Sequence, residues 1–290
     1  MNPYLDPRVD LAFKRVFGEH QDLLKSFLNA LLPLPPDAPI ESLEYLPSEQ
    51  APEIPGLEKN SIVDVKCTDT KGRIFIVEMQ MHWSASFMQR MIFSGSQAYV
   101  KQLHQGHDYR SLKSVYALAV TNEIFDHDTD AFLHHYAIIN VADHARRIKG
   151  LEFVFVELPK FKAHSTTDQR VIKWLRFLTE VGEDAQPLMS DLKDDSEIQS
   201  ALGFLEMGKL TPAQLAAYHS RLDAARVETT LLGDAEAKGE ARGEARGEAR
   251  GVERTVFNMV RLMSGKGMTP QAICDLLDTP LAEVLRALKA

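Results

Sequence analysis

The sequence predicts an α/β fold, a mixed central sheet flanked by helices, followed by an all-helical C-terminal extension. Three observations point to it. Two β-branched runs joined by a polar turn stand in SIVDVKCTDTKGRIFIVEMQM, further strand runs alternate with helical spacing on either side, and strand signals end beyond Thr166.

The chain opens with Asp6-Pro7, a side-chain acceptor followed by a proline suited to the first helical position, and Val9, Ala12, Phe13, Val16 and Phe17 then recur at helical spacing up to Gly18. DLLKSFLNALL is a second helix, halted by Pro33, Pro35 and Pro36. IESLEYL is a short strand before a proline-rich loop. The turn Asp69-Thr70-Lys71-Gly72 makes the next two strands an antiparallel hairpin. A helix over residues 86–105, a strand SVYALAVT (114–121) and a strand LEFVFVEL (151–158) follow. Thr269-Pro270 and Thr279-Pro280 each predict a capped start for a short terminal helix. The expected units are a core over 1–165, a helical extension over 166–232, a repeat helix or linker over 233–254 and a small helical module over 255–290.

With 290 residues, 44% hydrophobic and 26% charged, the chain has the composition of a soluble globular protein and room for more than one unit. No apolar run reaches the roughly 20 residues of a bilayer span, and MNPYLDPRVD lacks a basic start followed by an apolar stretch. The expectation is a cytoplasmic protein without a membrane partner. Cys67 and Cys274 stand in no metal-ligand spacing and read as small buried hydrophobes. No glycine-rich phosphate loop and no HExxH is present, and His104, His107, His134 and His135 form no pattern with acidic residues. A net charge of −8 weighs against phosphate binding, although part of the acid lies in the linker EDAQPLMSDLKDDSE at 183–197.

The hairpin carries the chemistry. A turn centred near Lys71 sets residues whose numbers sum to 142 opposite one another, so Asp64 faces Glu78. By strand alternation Asp64, Lys66, Glu78 and Gln80 share a face with Ile62, Ile74 and Ile76, while Val63, Val65, Val77 and Met79 point to the other. Two opposed carboxylates beside an apolar surface require a proton or a cation, and hard oxygen donors suit Mg²⁺, Mn²⁺ or Ca²⁺. The alternative reading pairs one carboxylate with Lys66 at a solvated edge.

Asp64, then 13 residues, then Glu78-Met79-Gln80 resembles the PD-(D/E)XK nuclease superfamily in the variant with glutamine in place of lysine. DLAFKRVFGE, LLKSFLNALL, EMQM, Arg90 and AYVKQLHQGHDYRSLKSVYALAV together resemble the Rpn family of recombination-promoting nucleases and putative transposases over about residues 4–160. The resemblance implies a PD-(D/E)XK, restriction-endonuclease-like core and a metal-dependent DNA endonuclease of bacterial type, linked to recombination or mobile elements. It implies a divalent cation, Mg²⁺ first, on Asp64, Glu78, the Met79 backbone carbonyl and Asp10, with Gln80 at the reacting water or phosphate. Asp10 alternatively forms an i,i+4 surface pair with Lys14. Glutamine offers no positive charge, so Lys66 or Lys14 would have to supply it. Arg90 and Gln97, two turns apart on one helix face, are candidates with Lys14 for DNA contact. The competing reading is a catalytically weak or inactive nuclease fold that binds and oligomerises as a regulator.

Gly-Glu-Ala-Arg repeats at 239, 243 and 247 place glutamates 236, 240, 244 and 248 in one helical row and Lys238, Arg242, Arg246 and Arg250 in another. Like charges at i,i+4 and repeated glycines disfavour such a helix alone. An antiparallel second copy sets glutamates against arginines, which predicts a homo-oligomer through 236–251 and the C-terminal helices; the alternative is a flexible charged linker. With only Arg286 and Lys289 in the last twenty residues, the terminal helices read as an interaction or capping module rather than a DNA reader.

Overall fold

The computed structural model describes residues 4–289 except 48, 51–60, 63, 82, 85, 104–107, 183–191 and 193. Its contacts cluster into two compact units, Met1–Arg226 and Val227–Ala290. In the first, a short helix α1 (Asp10–Phe13) continues into a π-helical turn, Lys14–Gly18, and then α2 (Gln21–Leu31). Strands β1 (Leu43–Tyr45), β4 (Val65–Asp69) and β5 (Ile74–Gln80) precede helix α3 (Phe87–Val100). Strands β6 (Val115–Thr121), β7 (Leu133–Ile139) and β8 (Arg147–Glu157) and helix α4 (Gln169–Glu180) follow. The short pair β2 (Glu49–Gln50) and β3 (Ser61–Ile62) lies outside the main sheet.

The six-stranded sheet runs β1-β4-β5-β6-β8-β7. Strands β5, β6 and β8 are parallel, and the remaining pairs are antiparallel. β6 is buried along its whole length, which explains its continuous apolar run: a central parallel strand is covered on both faces. One face packs Val65, Cys67, Phe75, Val77 and Met79 against α1, α2 and α4, where Phe13, Phe17, Phe27, Trp174 and Phe177 interlock. The other packs Ile74, Ile76, Ala117, Ala119 and Phe155 under Phe87, Met91 and Ala98 of α3. At Gly95 a Cβ would stand 3.0 Å from the Phe153 ring, so α3 approaches β8 as closely as it does because nothing projects there. Gly72, at φ +75°, closes the hairpin turn in a conformation side-chain-bearing residues avoid.

The α/β architecture and the hairpin register are those expected; the elements differ in detail. The first helix starts at Asp10, not after Asp6. The Asp6 carboxylate accepts the Arg8 amide at 2.9 Å and pairs with the Arg8 guanidinium at 2.6 Å, a local competitor that holds it away from a cap. β7, unread in the sequence, adds an edge strand. The helix placed over 86–105 ends at Val100, followed by a turn, and residues 104 and 105, with most of the acidic linker, lie outside the described residues.

The helix Pro212–Gly265 belongs partly to each unit. In the second unit its final turns pack Val260 with Ile273, Cys274, Val284 and Ala287 of the helices Pro270–Leu277 and Leu281–Lys289. Thr269 caps the first of these through the Ala272 amide, as expected. Thr279 does not cap the second: its hydroxyl donates to the Leu277 carbonyl at 3.1 Å. Both cysteines are buried. Among the described residues no helix is long and apolar enough to cross a membrane.

Candidate active site

The C-terminal end of β5 is where the sequence concentrates its polar residues, and pleating sorts them. Val77 and Met79 enter the core below, and Glu78 and Gln80 project with Ile74 and Ile76 on the α3 side. Val65 stands opposite Val77, so Asp64, one step before β4, comes level with Glu78. Asp64 is locked there by the Met79 amide, which donates to its Oδ2 at 2.6 Å.

Helices from both faces converge on this point. From below, the π-helical turn brings Lys14 Nζ to 3.2 Å from Asp64 Oδ1 and to 2.7 Å from Asp10 Oδ1; the latter is an ion-pair contact without hydrogen-bond alignment. From above, Arg90 Nη2 donates to Gln80 Oε1 at 3.0 Å while its guanidinium lies 5.1 Å from the Phe87 ring centroid. Asp10 thus forms the i,i+4 pair with Lys14, and the same ammonium reaches Asp64.

Burial dominates the electrostatics. Loss of hydration, followed by the nearby Asp64 charge, pushes the Glu78 carboxyl up to about 8, with Arg90 and Lys14 pulling the other way. Desolvation also raises Asp64 to about 6, against the Met79 amide and Lys14. Lys14 is half-buried; its dehydration is outweighed by Asp10 and Asp64, and its pKa rises. A site that presses carboxylates together out of water, with one ammonium among them, is built for positive charge.

Asp10, Asp64 and Glu78 are hard oxygen donors, the chemistry of a Mg²⁺-like ion rather than of zinc or copper. That donor set fits a divalent cation, although among the described residues no three such side chains converge in ligand geometry. Lys14 stands between two of them.

Lys66 lies on the same sheet face but senses Lys101 rather than the carboxylates, and desolvation followed by that lysine lowers its pKa. No ion pair joins it to Asp64 or Glu78. Gln97, two turns beyond Arg90, is half-buried with its Oε1 shut off from solvent and without a hydrogen-bond partner. The Met79 backbone contributes its amide to Asp64, as above.

The sequence reading overlooked a second polar row. Parallel register aligns Gln80 with Thr121 and Glu157 across the ends of β5, β6 and β8. The Glu157 carboxylate is fully buried and accepts from the Phe125 amide at 2.6 Å, contacts His134 Nε2 at 2.7 Å and pairs with Lys160 at 2.7 Å. It anchors the segment after β6, so that Phe125 stacks on Trp83 at 4.3 Å and Glu123 accepts the Trp83 amide at 2.7 Å. His135 likewise meets Glu152 at 2.7 Å. Both histidines thus have acidic partners, contrary to expectation, because β7 pairs them across the sheet with residues some 20 positions away. The uncharged run LHHYAII was the available signal. His104 and His107 lie outside the described residues.

Comparison with known families adds a single finding. The profile of a family described as PD-(D/E)XK nuclease family transposase matches residues 7–235, a span that includes Asp10, Lys14, Asp64, Glu78, Gln80 and Arg90. No curated protein and no solved structure matches the chain.

Proposed function

The chain belongs to the PD-(D/E)XK nuclease family transposases, and on that premise we propose that it is a metal-dependent DNA endonuclease acting in recombination or on mobile elements. The observation that carries the proposal is the cluster at the end of the hairpin: Asp64 level with Glu78, Asp10 joined to Asp64 through Lys14, and Gln80 held by Arg90. In this reading Asp64, Glu78, Asp10 and the Met79 carbonyl hold a divalent cation, Mg²⁺ first. When bound, such an ion lowers the pKa of water and offsets charge developing on a phosphodiester.

The protein's own groups do the rest. The Gln80 amide orients the attacking water and cannot act as its base. Lys14 supplies the positive charge that a lysine at position 80 would have brought, already engaged with Asp64 at 3.2 Å. Arg90 is exposed and reaches Gln80, the right place to contact a phosphate beside the scissile bond. Gln97, two turns beyond Arg90 on α3, is a candidate for the flanking backbone, and Lys66 on the hairpin is the alternative source of positive charge.

Self-association belongs to the proposal. The repeat over 239–250 is helical, with the side chains of Glu244, Glu248, Arg242 and Arg246 exposed, the surface an antiparallel second copy would pair. Light scattering before and after deletion of 236–251 tests it; an unchanged oligomer rejects it.

The decisive experiment is cleavage of supercoiled plasmid with Mg²⁺, Mn²⁺, Ca²⁺ or EDTA, alongside Asp64→Ala and Glu78→Ala. Metal-dependent nicking lost in both folded variants is expected. Folded wild type that cuts under none of these conditions favours the binding-regulator reading, to which glutamine at position 80 already lends weight.

A further inference from the structure

We propose that the two-stranded ribbon over residues 138–149 is a DNA-contacting arm that grips the duplex backbone away from the cleaved bond. The proposal rests on the nuclease reading above and extends it to a surface outside the site.

The ribbon leaves the sheet by design of its register. Ala137 pairs with Glu152, but the next residue, Ile138, pairs with Ile148, so three residues of β8 bulge out and the strands beyond them are re-aimed. The turn is closed by the Asn140 amide on the Arg146 carbonyl at 2.9 Å. Every residue from 138 to 149 is exposed, Val141 at 87% and Ile148 at 67%.

Its charge opposes that of the chain. Arg146, Arg147 and Lys149 stand against Asp143 alone, a local excess of two positive charges in a protein of net charge −8. Asp143 is taken by Arg146 at 2.9 Å, and among the described residues Arg147 and Lys149 have no ion-pair partner. An acidic protein that acts on DNA needs local cations, and a two-stranded ribbon is one of the two elements a major groove admits. A second copy suits the arm less well: two like ribbons together would gather four unpaired cations, Arg147 and Lys149 of each, at one interface.

Helix α3 links arm and site. Arg90 on its first turns reaches Gln80, and Tyr99 on its last lies over Gly150, next to the ribbon, close enough that a Cβ there would stand 3.4 Å from its hydroxyl. Arg90 and Tyr99 stand nine residues apart on the helix, about 14 Å, roughly four base pairs of duplex. The arm therefore lies on the order of four base pairs along that helix from the site.

The test is fluorescence anisotropy of a labelled duplex of about 30 base pairs with the full chain in EDTA, across a salt series. Arg147→Ala with Lys149→Ala is expected to weaken binding about tenfold and to lower the log–log salt slope by roughly two. Exchange of the two cations, Arg147→Lys with Lys149→Arg, is expected to retain wild-type binding and slope. Wild-type binding with an unchanged affinity and slope in the alanine variant overturns the arm and leaves the nuclease reading standing. A wild type that binds no duplex overturns the arm, and failure of plasmid cleavage as well would remove the nuclease reading. A change in oligomer mass without a change in DNA affinity overturns it in favour of a protein contact.

Discussion

Substituting Glu78 by glutamine keeps the shape of the side chain and removes its charge, which tests the electrostatic account of the site directly. Burial and Asp64 raise the Glu78 carboxyl from the ordinary 4.5 to about 8. At 1.36 kcal/mol per unit, holding it ionised in the metal-free fold costs about 5 kcal/mol. Asp64, raised from 3.8 to about 6, adds a smaller cost over a lower range. Because both folded-state values lie above the unfolded ones, the associated stability is complete below about pH 4 and is lost as pH rises through 6 and then 8. Between pH 5 and 7 the metal-free wild type should lose about 4 kcal/mol, most of it from Glu78, on the order of 10 °C in melting temperature. Glu78→Gln should flatten the curve by about 1.4 kcal/mol per pH unit over that range. Glu157 and Asp168, whose pKa values lie below the ordinary range, change stability only at more acid pH and do not enter the window. Circular-dichroism melts in EDTA from pH 5 to 8 read the effect. Parallel curves for wild type and variant, or a wild type whose stability rises with pH, would show that the carboxyl is not strained in this way.

Three further outcomes follow from the contacts. Lys14→Met leaves Asp10 and Asp64 without their shared ammonium; a loss of about 1 kcal/mol at pH 8 is expected for this partly exposed pair, together with loss of plasmid nicking, and undiminished nicking would exclude Lys14 from the mechanism. Glu157→Ala strips the acceptor from two backbone amides, His134 and Lys160 in a fully buried position, so a loss of about 3–5 kcal/mol in urea unfolding is expected, and one under about 1 kcal/mol would contradict the anchoring role. Gly95→Val drives methyl groups into the Phe153 ring and should cost about 1–3 kcal/mol, read by the same unfolding; a neutral result would mean that α3 lifts from β8 freely.

The parts of this protein legible in its sequence are those governed by short-range rules. The register that sets Asp64 level with Glu78 follows from a four-residue turn ending in Gly72, and the sorting of Val77 and Met79 from Glu78 and Gln80 follows from pleating alone. The aligned row Gln80–Thr121–Glu157 was illegible because parallel strands are joined by long crossovers that carry no register signal. β7 was missed for a related reason: its two histidines look polar until Glu157 and Glu152 are brought to them by pairing with β8. At the first helix a local rule misled, since Asp6-Pro7 is a sound helix start until Arg8 captures the carboxylate.

The site breaks the rules that make the remainder of the fold predictable, and the breach is informative. A hairpin selected for stability alone would place β-branched residues at 64 and 78, where two carboxylates now stand in a dehydrated pocket on the order of kcal/mol above their relaxed state. Lys14 offsets part of that cost but is itself half-exposed and shared between Asp10 and Asp64. The remaining imbalance is a standing affinity for positive charge at the end of β5. On the proposed reading, in which Glu78 holds a divalent cation, binding expels the proton from Glu78, so below pH 8 the apparent Mg²⁺ affinity should rise by up to about tenfold per pH unit, with about one proton released per ion. Isothermal titration in two buffers of different ionisation enthalpy measures that proton count. A count of zero at pH 7 would mean that the carboxylates are already ionised and that the imbalance inferred from their burial does not exist.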